Sequence, residues 1–335
     1  MRKIFLFNIV IFFIIIFSLE VIARIFHLAD LTGISKNLIV FENDIHKNAK
    51  NVEAYAFSKK VFTDSLGFRI PKKNFNYKDK NSSVLIIGDS VSFGVGVKEQ
   101  NTFVGLMRNE FKNLNFFNSS VSGYNFKDYS EVAKKNKNLL GLENILLFFT
   151  LNDISYKKTV FDTEIHLSRD QVDEHIEFLN KLKSNRILLK ITFFLRSKSV
   201  FYMWIKGITS KPSERHFYYT YPIYKNTSSV EILTFEIEKL KKVIKDSNLK
   251  LNIIVLPYEF QTRKKNCNND FLIPQLEVKN ILNNLNINFV DYTKTFCNYE
   301  KPNTLFLKYD PVHLSPLGHE FVFNLLKKDI NYLDN

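Results

Sequence analysis

A serine, a histidine and an aspartate stand at two ends of this chain in settings that suit acyl transfer. Gly88-Asp89-Ser90 follows a short apolar run, Val84-Leu85-Ile86-Ile87. A serine placed where a strand turns into a helix can attack a carbonyl while its own N–H faces the oxyanion that forms. Alone, Gly-Asp-Ser also describes a turn with a helix cap. It is not the G-x-S-x-G elbow either, because position 92 is Ser. Near the other end, Asp310 and His313 lie three apart in a loop just before Ser315-Pro316. A loop that short can turn the carboxylate onto the imidazole and fix its tautomer. His319 is a rival base, but it falls within the last helix with no acid on its face, so it is expected to pack or face solvent. His27, His46, His166, His175 and His216 lie in the N-terminal segment, the stretch after it and a central insertion. No pair of them has ligand spacing on one element, so no metal site is expected. Gly123 and Asn152 are candidate oxyanion donors, one through its backbone N–H and one through its side-chain amide. Each alone is a common loop residue.

These residues gain weight from the elements that carry them. Apolar runs at 84–87, 115–118, 144–150, 251–256 and 288–292 read as strands. Helical spacing is expected at 126–140, 171–183, 230–245 and 273–285, and Ser315-Pro316 opens a last helix. In the 230–245 helix the apolar side is expected to hold Ile232, Phe235, Ile237, Leu240 and Ile244. Strands alternating with helices imply a mostly parallel sheet covered on both faces. In such sheets ligands bind outside the carboxyl ends of the strands. Ser90, Gly123 and Asn152 each fall just past a strand, so they should share one cleft with Asp310 and His313. Residues 28–80 are polar and poor in periodicity around a turn at Asp64-Ser65-Leu66-Gly67-Phe68-Arg69, and read as a linker and N-terminal extension. Residues 154–229 interrupt the alternation. Lys190, Arg196, Lys198 and Lys206 punctuate their apolar part, which should therefore not span a bilayer. Either a lid or interfacial helix pair, or a helical pair packed on the domain's own core, accounts for it.

Four blocks, in order, resemble the SGNH (GDSL-type) hydrolase superfamily: Ile86-Ile87-Gly88-Asp89-Ser90-Val91-Ser92-Phe93-Gly94, Asn118-Ser119-Ser120-Val121-Ser122-Gly123, Thr150-Leu151-Asn152-Asp153 and Asp310-Pro311-Val312-His313-Leu314. Many relatives have Gly-x-Asn-Asp in the third block, where this chain has Thr150. The resemblance implies Ser90 as nucleophile, His313 as general base and Asp310 as its orienting acid. It implies an oxyanion hole from the Ser90 N–H, the Gly123 N–H and the Asn152 amide. It also implies a flavodoxin-like three-layer α/β/α sandwich with a mostly parallel five-stranded sheet in the order 2-1-3-4-5. The match covers roughly 82–150 and 250–330. A membrane-anchored bacterial branch is resembled too, through Glu20 and Arg24 after the apolar segment, Gly67-Phe68-Arg69, and Phe93-Gly94-Val95-Gly96-Val97. The implied activity is ester hydrolysis or acyl transfer through an acyl-enzyme, with no metal or organic cofactor. The expected substrate is an O-acyl, chiefly O-acetyl, group of a cell-envelope polysaccharide. The alternatives are a lipid or lysophospholipid esterase, or a noncatalytic envelope assembly protein that keeps the fold.

Composition sets the outer bounds. The chain has 335 residues, 45% hydrophobic and 24% charged, which is ordinary for a globular protein and excludes disorder as the main reading. A net charge of +13 could draw anionic glycan, lipid or nucleic acid. The lysines are scattered, however, and zinc-finger spacing and RNP-like motifs are absent, so no nucleic-acid partner is expected. Residues 4–17 are apolar apart from Asn8 and would reach roughly 21 Å as a helix, or about 28 Å when extended to Ile22. The stretch includes Glu20, which can pair with Arg24 four residues on. Residues 1–27 are expected to be an uncleaved anchor. A signal peptide cut near Val21-Ile22-Ala23 and a buried globular helix are the alternatives. The basic start favours a cytoplasmic N-terminus. That places the hydrolase domain, 81–335, outside a bacterial inner membrane. Such a space permits a Cys267–Cys297 bridge, worth roughly 3–4 kcal/mol on the chain-entropy model, although two unpaired cysteines fit the sequence as well.

Overall fold

The computed structural model describes residues 2–42, 45–78, 82–154 and 185–329. Helix α1 (Arg2–Ile25) carries its apolar side chains in the open along most of its length. The reading of this segment as a buried globular helix is therefore wrong. Five short strands follow: β1 (Ile39–Glu42), β2 (Ile45–Asn48), β3 (Glu53–Ala56), β4 (Lys59–Thr63) and β5 (Arg69–Ile70). The parallel part then begins with β6 (Ser82–Gly88), α2 (Ser90–Phe93), α3 (Phe103–Glu110), β7 (Leu114–Asn118), α4 (Phe126–Asn136) and β8 (Leu142–Phe149). After residue 184 come α5 (Arg186–Lys198), α6 (Val200–Ser210), α7 (Pro212–Thr220) and α8 (Thr227–Asp246). The chain returns to the sheet with β9 (Lys250–Val255), α9 (Glu259–Thr262), α10 (Ile273–Asn284), β10 (Asn288–Asp291), α11 (Thr293–Cys297) and α12 (Pro316–Asp329).

Among the described residues the main sheet has the order β10-β9-β8-β6-β7-β5-β4-β3. Its first five strands are parallel, and in chain order they run 2-1-3-4-5, as expected. Strand β6 lies at the centre, with Ile86 opposite Asn118 on one side and Leu146 on the other. Adjacent residues of a strand face opposite sides of the sheet. In β8, Phe148 stacks on Phe103 of α3, while Phe149 meets Phe126 of α4. Those two helices therefore cover opposite faces. Helix α12 packs beside α3 and α8 beside α4, giving the three layers.

Three sequence expectations are corrected. The sheet is wider than five strands, because β3, β4 and β5 join it antiparallel through the pairing of Arg69 with Asn118. Residues 53–70 are thus part of the sheet rather than linker. The alternating burial of Glu53-Ala54-Tyr55-Ala56 is that of a half-buried strand, hidden in the sequence by the small size of its inward residues. In α8 the buried apolar positions are Leu233, Ile237, Leu240 and Ile244, whereas Phe235 is 62% exposed. Positions 233, 237, 240 and 244 follow the helical repeat, and 235 lies off that stripe. Lastly, the insertion is not one helical pair on the core. Helix α5 buries no residue, α6 buries Val200, Met203 and Gly207, and α7 packs Phe217 into the main core. The helix expected at 171–183 lies outside the described residues.

Two contacts tie the ends of the chain to this body. Glu20 of α1 pairs with Arg24 at 2.7 Å, as their spacing predicts. It also accepts hydrogen bonds from the Ser199 hydroxyl at 2.7 Å and from the Val200 and Phe201 N–H groups at 3.0 Å, so it caps α6. Cys267 and Cys297 form a disulfide across 30 residues of sequence. This resolves the two readings of the cysteines in favour of the bridge.

Candidate active site

Gly88 ends β6 and must be glycine: a Cβ there would stand 2.1 Å from Ser92 Oγ and 2.9 Å from the Phe148 carbonyl oxygen. The chain then turns sharply into α2, with Asp89 as N-cap accepting the Val91 N–H at 2.8 Å. Ser90 is the first helical residue and is 9% exposed. The turn after α2 is held from across the sheet. Arg69, fully buried, donates to the carbonyl oxygens of Phe93, of Gly94 at 2.7 Å and of Val97 at 2.6 Å. Its guanidinium lies 5.1 Å from the centre of the Phe93 ring. The Gly67-Phe68-Arg69 turn and the Phe93-Gly94-Val95-Gly96-Val97 run are therefore two halves of one device. Burial lowers the Arg69 pKa to about 10, which leaves the group charged at neutral pH.

The second half of the site hangs on a loop with its own backbone frame. Leu307 N–H bonds the His313 carbonyl at 2.9 Å, Asp310 N–H the Leu307 carbonyl at 3.0 Å, and Glu259 N–H the Pro311 carbonyl at 2.9 Å. Within that frame Asp310 Oδ1 accepts the N–H groups of Val312 and His313 at 3.0 and 2.8 Å. Asp310 Oδ2 meets His313 Nδ1 at 2.8 Å. The other imidazole nitrogen, Nε2, stands 2.9 Å from Ser90 Oγ. Residues 223 positions apart thus form one hydrogen-bonded line from carboxylate to hydroxyl. Burial alone would lower the His313 pKa, but the charge and hydrogen bond of Asp310 outweigh it and hold the imidazole above its ordinary value. Burial would likewise raise Asp310, and the imidazolium with the two backbone N–H groups brings it below the usual carboxylate range.

The three candidate oxyanion donors lie around this line. Neither the Ser90 N–H nor the Gly123 N–H has a protein partner among the described residues. Gly123 has φ +89, a region that favours glycine. The Asn152 amide is oriented by its neighbours. Tyr258 Oη and Thr150 Oγ1 each donate to Oδ1 at 3.0 Å, and Nδ2 donates to Asp89 Oδ2 at 2.9 Å. One amide hydrogen is thus spent on Asp89, and the second has no protein partner among the described residues. Asp89 Oδ2 also lies 3.3 Å from Ser90 Oγ. Beneath it, burial and the nearby Asp89 charge push Asp153 well above the usual carboxylate range. The Thr150 hydroxyl that donates to Asn152 Oδ1 also stands 3.4 Å from Asp89 Oδ2.

Several contributors were not apparent in the sequence. Tyr258 follows β9, so the strand-end rule that picked out Ser90, Gly123 and Asn152 would have found it too. Phe57 stands at the tip of the β3–β4 hairpin, where it and Ser58 have φ 47 and 62. Its ring meets the His313 imidazole edge-on at 4.9 Å. His46 donates to the Ser122 carbonyl at 3.0 Å and steadies the Gly123 turn. His216 of α7 packs 5.0 Å from the Tyr258 ring, and burial lowers its pKa to about 4. These last three come from segments read as linker and insertion, and only the tertiary fold brings them here. His319 packs as expected: it is buried, accepts the Phe103 N–H at 3.3 Å, and burial lowers its pKa to about 3. Among the described residues no three His, Cys, Asp or Glu side chains cluster as metal ligands.

No family model and no curated protein matches the chain. Solved structures do match. A lipase/acylhydrolase from Enterococcus faecalis aligns at 15% identity and TM-score 0.42, over 74% of this chain and 95% of its own. A member of the lipolytic protein G-D-S-L family from Veillonella parvula DSM 2008 aligns at 12% and 0.41, over 75% and 98%. A Clostridium thermocellum family 3 carbohydrate esterase aligns at 12% and 0.42, over 76% and 98%. The geometry at Ser90, rather than these distant likenesses, carries the functional reading.

Proposed function

We propose that the chain is an SGNH-type serine esterase or acyltransferase working through an acyl-enzyme. The observation that supports this most is the line Asp310–His313–Ser90, with contacts of 2.8 and 2.9 Å. In this reading His313 Nε2 takes the Ser90 proton as Oγ attacks an ester carbonyl, and Asp310 stabilises the imidazolium. The carbonyl electrons move onto oxygen, which the Ser90 N–H, the Gly123 N–H and the free Asn152 hydrogen receive, each worth on the order of 3 kcal/mol in the transition state. His313 then protonates the leaving alcohol. Water attacks the acyl-Ser90 in a hydrolase; a second hydroxyl does so in a transferase.

The proposed substrate is an O-acyl group, chiefly O-acetyl, of a cell-envelope polysaccharide. Helix α1, whose 23-residue stretch Lys3–Ile25 is long and apolar enough to cross a membrane, is proposed as an anchor holding the domain outside a bacterial cytoplasmic membrane, with Arg2 and Lys3 inside. A lipid or lysophospholipid ester is the competing substrate, favoured by the exposed apolar residues of α5 near the end of α1. Acetate release from O-acetylated polysaccharide, with Ser90→Ala as blank, tests the first. Fatty-acid release from lysophospholipid without acetate release would replace it by the second. Offering a glycan acceptor to the trapped acyl-enzyme separates transfer from hydrolysis.

A further inference from the structure

Helix α5 is a helix without a core. None of its residues is buried, and Ile187, Ile191 and Phe194 are 69%, 49% and 62% exposed. These three lie at i, i+4 and i+7, and Leu188, also exposed, adjoins them, so they form one apolar face. A contiguous face of that kind marks a contact that the described residues do not make among themselves.

What covers it is indicated by where it is attached. The C-terminal end of α5 is fastened to the end of α1. Arg24 donates to the Lys198 carbonyl, the Thr32 N–H bonds the Arg196 carbonyl at 3.0 Å, and Arg196 Nε donates to Thr32 Oγ1 at 3.2 Å. Glu20 caps the next helix, α6. The C-terminal end of α5 therefore lies at the end of α1, where α1 would leave a bilayer and where Ile22, Ile25 and Phe26 are exposed. Its charge also has one sign. Helix α5 carries Arg186, Lys190, Arg196 and Lys198 and no acidic residue. By the helical repeat Lys190 and Lys198 fall beside Ile187, Ile191 and Phe194, whereas Arg196 falls on the opposite side. No carboxylate pairs with Lys190 or Lys198 among the described residues. Exposed aliphatic and aromatic residues with basic residues around them are what an anionic lipid surface takes.

We propose that the apolar face of α5, flanked by Lys190 and Lys198, rests on an anionic lipid surface beside the emerging α1. The inference rests on the reading of α1 as an anchor, but not on the reading of Ser90. Because α5 leads through α6 to α7, and α7 carries His216 to the Tyr258 ring, this contact also sets the site at a fixed height above the lipid.

The test uses the full chain with its Cys267–Cys297 bridge intact, in vesicles of phosphatidylcholine with and without phosphatidylglycerol. An environment-sensitive fluorophore is placed at Phe194→Cys, at Phe12→Cys in α1 and at Phe235→Cys, an exposed position on α8. Quenching by a nitroxide on the lipid acyl chain is compared with quenching by aqueous iodide. The expected result is strong nitroxide quenching at 12, clear nitroxide quenching at 194 that is several-fold greater with phosphatidylglycerol, and iodide quenching alone at 235. Lys190→Gln with Lys198→Gln should reduce the phosphatidylglycerol dependence at 194. Nitroxide quenching at 12 with only iodide quenching at 194 would overturn the proposal and leave the anchor standing. Shielding of 194 from both quenchers would overturn it in favour of a protein cover, whether a second copy or another part of this chain. Absence of nitroxide quenching at 12 would overturn the anchor and the proposal together.

Discussion

The edge of the sheet around Ser90 and the helices around α5 are opposites in how they treat charge and apolar surface. At Ser90, charged and polar groups are held: buried Arg69 by three carbonyls, buried Asp310 by two N–H groups and an imidazole, and half-buried Asn152 by Tyr258, Thr150 and Asp89. Along α5 apolar residues are exposed, and its own cations have no acidic partners among the described residues. Hydrogen-bonded polar networks of this kind hold atoms in fixed positions, which proton transfer across 2.9 Å would require. Exposed apolar faces gain nothing from their own chain and depend on a surface supplied from outside. The first region should therefore respond to substitution in rate and stability, the second in location.

The largest effect is expected at the line itself. Ser90→Ala or His313→Ala should lower turnover of an aryl acetate by at least about 10³-fold, while thermal unfolding stays near that of the unchanged chain. Full activity in both variants would break the contrast at its stronger end. Arg69→Met should come next, costing about 3 kcal/mol in urea unfolding, because it leaves the carbonyls of Phe93, Gly94 and Val97 buried without donors. A change under ~0.5 kcal/mol would show that Arg69 does not hold the turn. Tyr258→Phe removes one hydroxyl from Asn152 and should lower kcat about tenfold, the worth of one hydrogen bond, with KM unchanged. A rise in KM alone would mean that the hydroxyl binds substrate instead of orienting the amide. The smallest effect belongs to α5: Ile191→Ser with Phe194→Ser should change stability in detergent by less than about 0.5 kcal/mol. A loss of several kcal/mol would mean that this face packs on protein.

The same contrast explains which parts were legible in the sequence. Ser90, Gly123 and Asn152 stand in short blocks just past strand ends, and Asp310 and His313 in one short loop; the mostly parallel sheet follows from the alternation of elements, and its order 2-1-3-4-5 is what the resemblance of those blocks implies. Strands β3 to β5 escaped because they are short: β3 buries two alanines, β4 buries Val61 and Thr63, and β5 buries Arg69 and Ile70, so none gives an apolar run. The turn at Arg69 was visible, but its task was not, because its partners lie 24 to 28 residues away. His46 and His216 looked idle, since what matters about each is a neighbour 76 or 42 positions distant (Ser122, and Tyr258 counted from 216). Phe235 was assigned to the core by its residue type, and the helical repeat puts it outside.

The measurement that tests the central claim most directly is labelling of Ser90 by a fluorophosphonate, followed by mass spectrometry across pH. Because Asp310 holds the His313 pKa above its ordinary value against the opposing effect of burial, His313 loses its proton only as pH rises through that raised pKa. The account predicts one adduct, on Ser90, forming faster as pH rises through that range, and little adduct in His313→Ala. A folded protein that takes no label, or a label on Ser90 whose rate ignores both pH and His313, would contradict it.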